Sequence, residues 1–306
     1  MNGFGHSLRV GVLVAGGMGL GGLWGGDLPE IKFTEVLDFD RPEAWAMKRA
    51  ASLMLFTSMG PPTSREAGSV EFGLEAIWNP SLSAEDRRVG FDGNKVEDLN
   101  RLEVIPRPRV RIGVGWETTL ELSYLPPVEI EGIEPNIFAM ALERPIWQGC
   151  DWTLGARIYG QLGGVDGDIT CPHGESDIPP GEAGNEFGCE GTSRDEITLN
   201  YVGGALIGGF ALPEDIGGDL HFGVYATYMD LEFQVDAVTY GLRDRTKMVT
   251  DGWAYAFTAG YSRDISEDCR LAVEAFYSPL DVDRSAESNA DADDLFNVRA
   301  MLSYRF

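Results

Sequence analysis

From Gly68 onward the chain alternates apolar and polar residues with a period of two, the mark of strands with one face in an apolar medium. Val70, Phe72, Leu74, Ala76 and Trp78 alternate with Glu71, Gly73, Glu75 and Ile77. Val110, Ile112, Val114 and Trp116 alternate with Arg109, Arg111, Gly113 and Gly115, and Leu120, Leu122 and Tyr124 with Glu121 and Ser123. The pattern resumes over 138–143, 152–162, 197–211, 222–235, 253–261, 271–277 and 296–306. In the strand after Phe222 the apolar set changes parity near Met229 and Asp230, which predicts a β-bulge. Tight links at 117–118, 148–151, 213–218 and 264–268 alternate with long ones at 80–103, 126–135, 164–195, 236–250 and 281–293. The pattern predicts an all-β fold: an antiparallel up-and-down transmembrane β-barrel of about ten strands, with a short N-terminal helix.

The last strand sharpens this. Phe296, Val298, Ala300, Leu302, Tyr304 and Phe306 share one face, and Asn297, Arg299, Met301, Ser303 and Arg305 the other. A soluble protein rarely leaves such an apolar edge at its terminus. The stretch resembles the C-terminal signal of Gram-negative outer-membrane β-barrels, with terminal Phe306 preceded by Tyr304 and Leu302 at alternate positions. The resemblance implies a location in the outer membrane among lipid and lipopolysaccharide. It also implies recognition of Leu302, Tyr304 and Phe306 by the barrel-assembly machinery. Trp78, Trp116, Tyr124, Trp147, Trp152 and Trp253 cluster at strand ends, as interfacial girdles require.

Ahead of the strands, residues 1–26 read as a signal peptide, with His6 and Arg9 before an apolar, Gly-rich run. Residues 27–67 form a periplasmic N-terminal segment, and 68–306 the barrel. Within that segment Asp40 is a candidate N-cap, and Pro42 opens a helix-like run that Gly60, Pro61 and Pro62 end. This helix has four candidate places: plugging the lumen, covering the periplasmic mouth, lying in the bilayer interface, or packing on the barrel as an assembly latch, which is the default. Both mature termini are then periplasmic.

The formal charge of −25 excludes a basic nucleic-acid surface and a polybasic lipid anchor. Four cysteines suit an oxidising compartment, and Cys171 and Cys189 share one long loop, making them the disulfide candidates. Cys150 and Cys269 lie in turns, their pairing open. Carboxylates crowd two loops: Asp166, Asp168, Glu175, Asp177, Glu182, Glu186 and Glu190 in one, and Asp281, Asp283, Glu287, Asp291, Asp293 and Asp294 in the other. No Ca²⁺-loop spacing appears, so a solvated face outranks Ca²⁺ or bridging to lipopolysaccharide phosphates, and no cofactor is assigned.

The inward face carries a charge ladder of Glu71, Glu75, Arg109, Arg111, Glu121, Glu143, Arg157, Glu274, Arg299 and Arg305. Charges in a narrow lumen pair, giving either a filled interior or a selective constriction. Glu71 and Glu75 of the first strand are the partners for Arg299 and Arg305 at closure. Three functions follow: a porin-like channel or transport-type barrel for small solutes, a non-transporting structural or surface-interaction barrel, and a barrel enzyme. The enzyme is poorly supplied. Asp219-Leu-His221 and Asp166-Gly-Asp168 resemble paired residues of omptin proteases, but this topology puts the two pairs on opposite sides of the membrane. No Ser pattern supports a phospholipase.

Overall fold

The computed structural model describes residues 28–284 and 293–306, so the signal-peptide stretch and Glu287 and Asp291 lie outside the described residues. Ten antiparallel strands follow one another: β1 Val70–Trp78, β2 Val104–Gly115, β3 Thr118–Leu125, β4 Ile133–Gln148, β5 Trp152–Gly167, β6 Asp195–Ala211, β7 Asp219–Gln234, β8 Lys247–Asp264, β9 Cys269–Ser278 and β10 Leu295–Arg305. Each pairs with its neighbours in sequence, and β10 pairs with β1, so the sheet closes on itself. Closure leaves no edge strand in the sheet, which is what a sheet in hydrocarbon requires. The seam sets Tyr304 opposite Phe72 and Arg305 opposite Glu71.

Outward positions are apolar and inward ones buried. Phe72, Leu74, Phe138, Met140, Val224, Tyr255, Phe257 and Leu302 are exposed, whereas Glu71, Glu75, Glu121, Ala139, Tyr225 and Ala256 are buried. Links at one end are tight. Trp116 and Glu117 both take positive φ (50° and 60°), the conformation of a two-residue hairpin turn whose twist matches its strands. The other end carries the long loops, one of them closed by the Cys171–Cys189 disulfide (Cα–Cα 5.6 Å). Cys150 and Cys269 are free thiols at the tight-turn end.

The N-terminal segment runs through the barrel. Thr34–Val36 pairs in parallel with Lys247–Val249 at the long-loop end of β8, where β9 is too short to cover the edge. Helix α1 (Pro42–Leu53) then enters the lumen and packs against β6, β7, β8 and β10. Residues 54–60 continue as buried chain through the middle. Pro61 and Pro62 leave at the tight-turn end, where a Cβ on Gly209 would meet Pro61 at 2.6 Å and one on Gly155 would meet Pro62 at 2.4 Å. Those glycines let the chain pass the wall. Beyond them, Gly68 N donates to Gly113 O (2.8 Å) and β1 begins.

Four expectations change. The helix lies inside the lumen, and the segment is not packed beneath the barrel as a latch. Its described part starts at the long-loop end while Phe306 sits at the tight-turn end, so Leu28 and Phe306 lie at opposite ends of the barrel. The helix has Arg41 at its N-cap position without a side-chain cap and stops at Leu53, seven residues before Gly60, because the next carbonyls are taken by wall side chains. Finally, β7 has no bulge: its register with β6 and β8 is continuous through Met229 and Asp230. Met229 and Leu231 stay inward because the wall there is apolar to receive α1.

Candidate functional site in the barrel lumen

The centre of the molecule is a clasp of five guanidinium groups on the backbone of residues 52–58. Extended backbone inside a barrel has no partner strand, so each of its carbonyls needs a donor from the wall. Arg107 Nη1 donates to Met54 O (2.7 Å) and Arg109 Nη1 to Thr57 O (2.7 Å). Arg111 donates to Ser58 O. Arg157 Nη2 reaches Phe56 O (3.2 Å) and Thr57 O (3.3 Å). Arg299 donates to Leu55 O (2.5 Å), Ser52 O (3.1 Å) and Leu53 O (3.3 Å). Two phenols complete the set. The Tyr201 hydroxyl accepts from Phe56 N and donates to Met54 O, each at 2.9 Å, and the Tyr225 hydroxyl accepts from Ser58 N (3.1 Å).

Each cation needs a counter-charge, since an unpaired buried ion is costly. Glu75 accepts from Arg109 Nη2 (2.6 Å), and Glu121 from Arg109 (3.1 Å), Arg111 (3.0 Å) and Arg157 (2.7 Å). Glu143 pairs with Arg157 (3.2 Å), and Glu71 with Arg111 (3.3 Å), Arg305 (3.3 Å) and Arg65 (2.9 Å). Arg299 lies 3.9 Å from Glu75. Segment hydroxyls use the remaining carboxylate oxygens: Thr57 Oγ1 donates to Glu274 and Ser58 Oγ to Glu143, both at 2.6 Å. The Phe56 ring lies under Arg107, Arg109 and Arg157, at 4.6, 4.5 and 5.1 Å from centroid to guanidinium. Such stacking is worth about 0.5–2 kcal/mol per desolvated pair.

All ten ladder residues therefore line one lumen, with Arg305 and Arg111 at its edge and the others buried. What sequence reading missed is Arg107, fully buried between outward Pro106 and Pro108. Two prolines argue against a strand. Here they are tolerated because β2 pairs with β3 only from Arg109 onward, leaving one edge of that stretch without a ladder partner. The i, i+2, i+4 spacing of Arg107, Arg109 and Arg111 was the available signal.

The omptin-like pairs do not meet. His221 is buried with Nε2 3.3 Å from Glu274 Oε2, and Asp219 is paired with Arg270 (2.5 Å). Asp166 stands level with Gln234, through Glu196 between them. That puts it roughly 40 Å along the strands from His221 at ~3.3 Å per residue. Asp168 is engaged by Arg101, and Glu175 lies 3.8 Å from Lys95. Among the described residues no group of three or more His, Cys, Asp or Glu side chains converges to hold a metal ion.

No family model matches this chain, and no curated protein does. Solved structures share its fold. The COG4313 outer membrane channel from Pseudomonas putida F1 is 11% identical, covering 82% of this chain and 100% of that one, with a TM-score of 0.44. The Pseudomonas putida toluene transporter TodX is 12% identical over 84% of this chain and 72% of its own, with a TM-score of 0.35. The outer membrane protease OmpT from Escherichia coli is 9% identical over 78% and 94%, with a TM-score of 0.34. The chain has the fold of outer-membrane β-barrels.

Proposed function

We propose that the protein is a transport-type barrel of the outer membrane for small solutes, shut in this state by its own N-terminal segment. The observation that carries the reading is the single pass of residues 42–60 through the lumen. Among the described residues no disulfide ties the segment to the wall, and inside the lumen it is held by packing and by hydrogen bonds that solvent or a shifted segment can replace. The long loops face outward from the cell and the tight turns face the periplasm, the arrangement usual for such barrels. Glu30 then lies at the outer mouth and Phe306 at the periplasmic rim, where Leu302, Tyr304 and Phe306 are presented for assembly. Exposed Cys150 reports the sidedness: a membrane-impermeant maleimide should label it only after the outer membrane is permeabilised.

In planar bilayers the intact chain should carry no steady current, and a folded variant lacking residues 28–62 should carry one. Liposomes holding the intact chain should take up a small solute faster than protein-free liposomes. A folded deletion variant without current rules out closure by the segment. Absence of uptake by the intact chain removes transport and leaves the second reading, a non-transporting surface barrel, which the extensive ion pairing of the lumen favours.

A further inference from the structure

At the long-loop mouth a cavity of about 480 Å³ lies between the N-terminal segment, α1, the loop between β1 and β2, and the barrel rim. Its wall includes Ile31 and Phe33 of the segment, Met47 of α1, Leu99 of the loop, and Phe233 and Met248 of the rim. The volume is that of a small-molecule site. Ile31 and Phe33 are 40% and 52% exposed and face this cavity, so lipid contact does not account for their apolar character. Exposed apolar surface of this kind gains by being covered.

Charge selects the occupant. Among the described residues the one cation in the wall, Arg41, is already matched by Glu35 (3.1 Å), Glu43 (3.3 Å) and Asp92 (3.2 Å). Asp244 adds a further carboxylate, and Glu97, already met by Lys95 at 3.3 Å, lines the same wall. The cavity is apolar inside with an acidic rim, so it repels an ionised carboxylate ligand, and among the described residues its wall offers no free cation to hold one.

We propose that this cavity binds an uncharged apolar small molecule, and that its occupant contacts the segment that closes the lumen. The inference rests on the transport reading for its purpose but not for its geometry. Ile31 and Phe33 are continuous in sequence with the strand Thr34–Val36, and Met47 belongs to the plugging helix. An occupant therefore touches the plug at two places without reaching the arginine clasp.

The test is equilibrium dialysis of radiolabelled naphthalene against the full chain in lipid nanodiscs, with empty nanodiscs as the blank and unboiled gel mobility as the check of folding. The expected result is one saturable site per barrel, weakened at least tenfold by Ala46→Trp, which fills the cavity from α1. Phe33→Ser, at a half-exposed position, should weaken it in the same sense and serves if Ala46→Trp does not fold. Toluene should displace the probe and octanoate should not. No saturable excess over empty nanodiscs overturns the proposal. Displacement by octanoate as effective as by toluene overturns the uncharged class. Binding that appears only when the chain starts at residue 27 puts the preceding segment in the cavity and overturns it as well. Saturable binding without uptake into liposomes removes the transport reading alone; uptake without saturable binding removes this site alone.

Discussion

The lumen is filled in two ways, and the contrast explains its composition. Toward the long loops it holds a helix; toward the tight turns it holds extended chain. Helix α1 satisfies most of its backbone groups internally, so the wall around it needs only shape. That wall is apolar: Leu199, Met229, Leu231, Ala254 and Leu295 join Trp45, Met47 and Ala51 in one buried cluster. Beyond the helix the amides of Met54, Leu55 and Thr57 still turn back onto the segment, but the carbonyls of Met54, Phe56, Thr57 and Ser58 are met by arginines of the wall, and there the wall also supplies the carboxylates that neutralise those guanidinium groups. The backbone conformation of the plug thus dictates the polarity of the barrel interior. A charge ladder in a small barrel can mark a bound strand as readily as an ion pathway.

Removing one clasp arginine should give the largest effect. Arg157→Met takes donors from Phe56 O and Thr57 O and leaves Glu121 and Glu143 with less counter-charge. Breaking a buried pair from one side costs about 3–5 kcal/mol, read as a lowered urea midpoint of the reconstituted barrel. Adding Glu143→Gln should recover part of that loss, because it removes one stranded charge. A cost below about 1 kcal/mol, the scale of a surface pair, would mean that water already shares these carbonyls.

The helix end should respond more weakly to loss of a polar tie. Trp45 is fully buried and its Nε1 donates to Asp293 O (2.7 Å). Trp45→Phe keeps an aromatic ring against the wall and loses that bond, a cost of about 1 kcal/mol from hydrogen bonding. The same urea titration compares the two. If Trp45→Phe costs as much as Arg157→Met, the distinction between a packed helix and a clasped strand collapses.

The same contrast explains what was legible in the sequence. Strand positions were, because lipid outside and a packed lumen inside impose a period of two on every strand. The ladder was too, since Glu and Arg on the buried face stand out against that period. Its partner was not: Phe56, Thr57 and Ser58 offer backbone carbonyls, which every residue carries and no sequence pattern marks. Nor was the end of α1 at Leu53, because the run through Phe56 has good helix formers and it is the wall that claims its carbonyls. The parity change on β7 looked like a bulge for a related reason. An apolar inner wall reads as a switch of face only when the inside is assumed to be polar throughout.

The long loops offer a smaller test of the same rule, that a buried carboxylate needs enough cations. Glu121 has three guanidinium partners. Glu97, in the loop between β1 and β2, has one ammonium, Lys95 at 3.3 Å. Lys95 is also shared with Glu175 (3.8 Å) and Thr170 O, which ties this loop to the disulfide loop. Burial raises the Glu97 carboxyl to about 7 despite Lys95, with Glu175 and Asp195 adding to the rise. Its folded value lies above the unfolded one, so the native state holds the extra proton. The stability this contributes is complete below the unfolded value near 4.5 and declines as pH rises through about 7. Hydrogen exchange at amides 89–99, corrected for intrinsic rates, should therefore show less protection at pH 8 than at pH 5.5. Glu97→Gln should flatten that dependence while leaving the urea midpoint of the barrel unchanged. An equal slope in the variant would assign the pH response to another group, and would leave the lumen as the only place where the balance of carboxylates and cations governs stability.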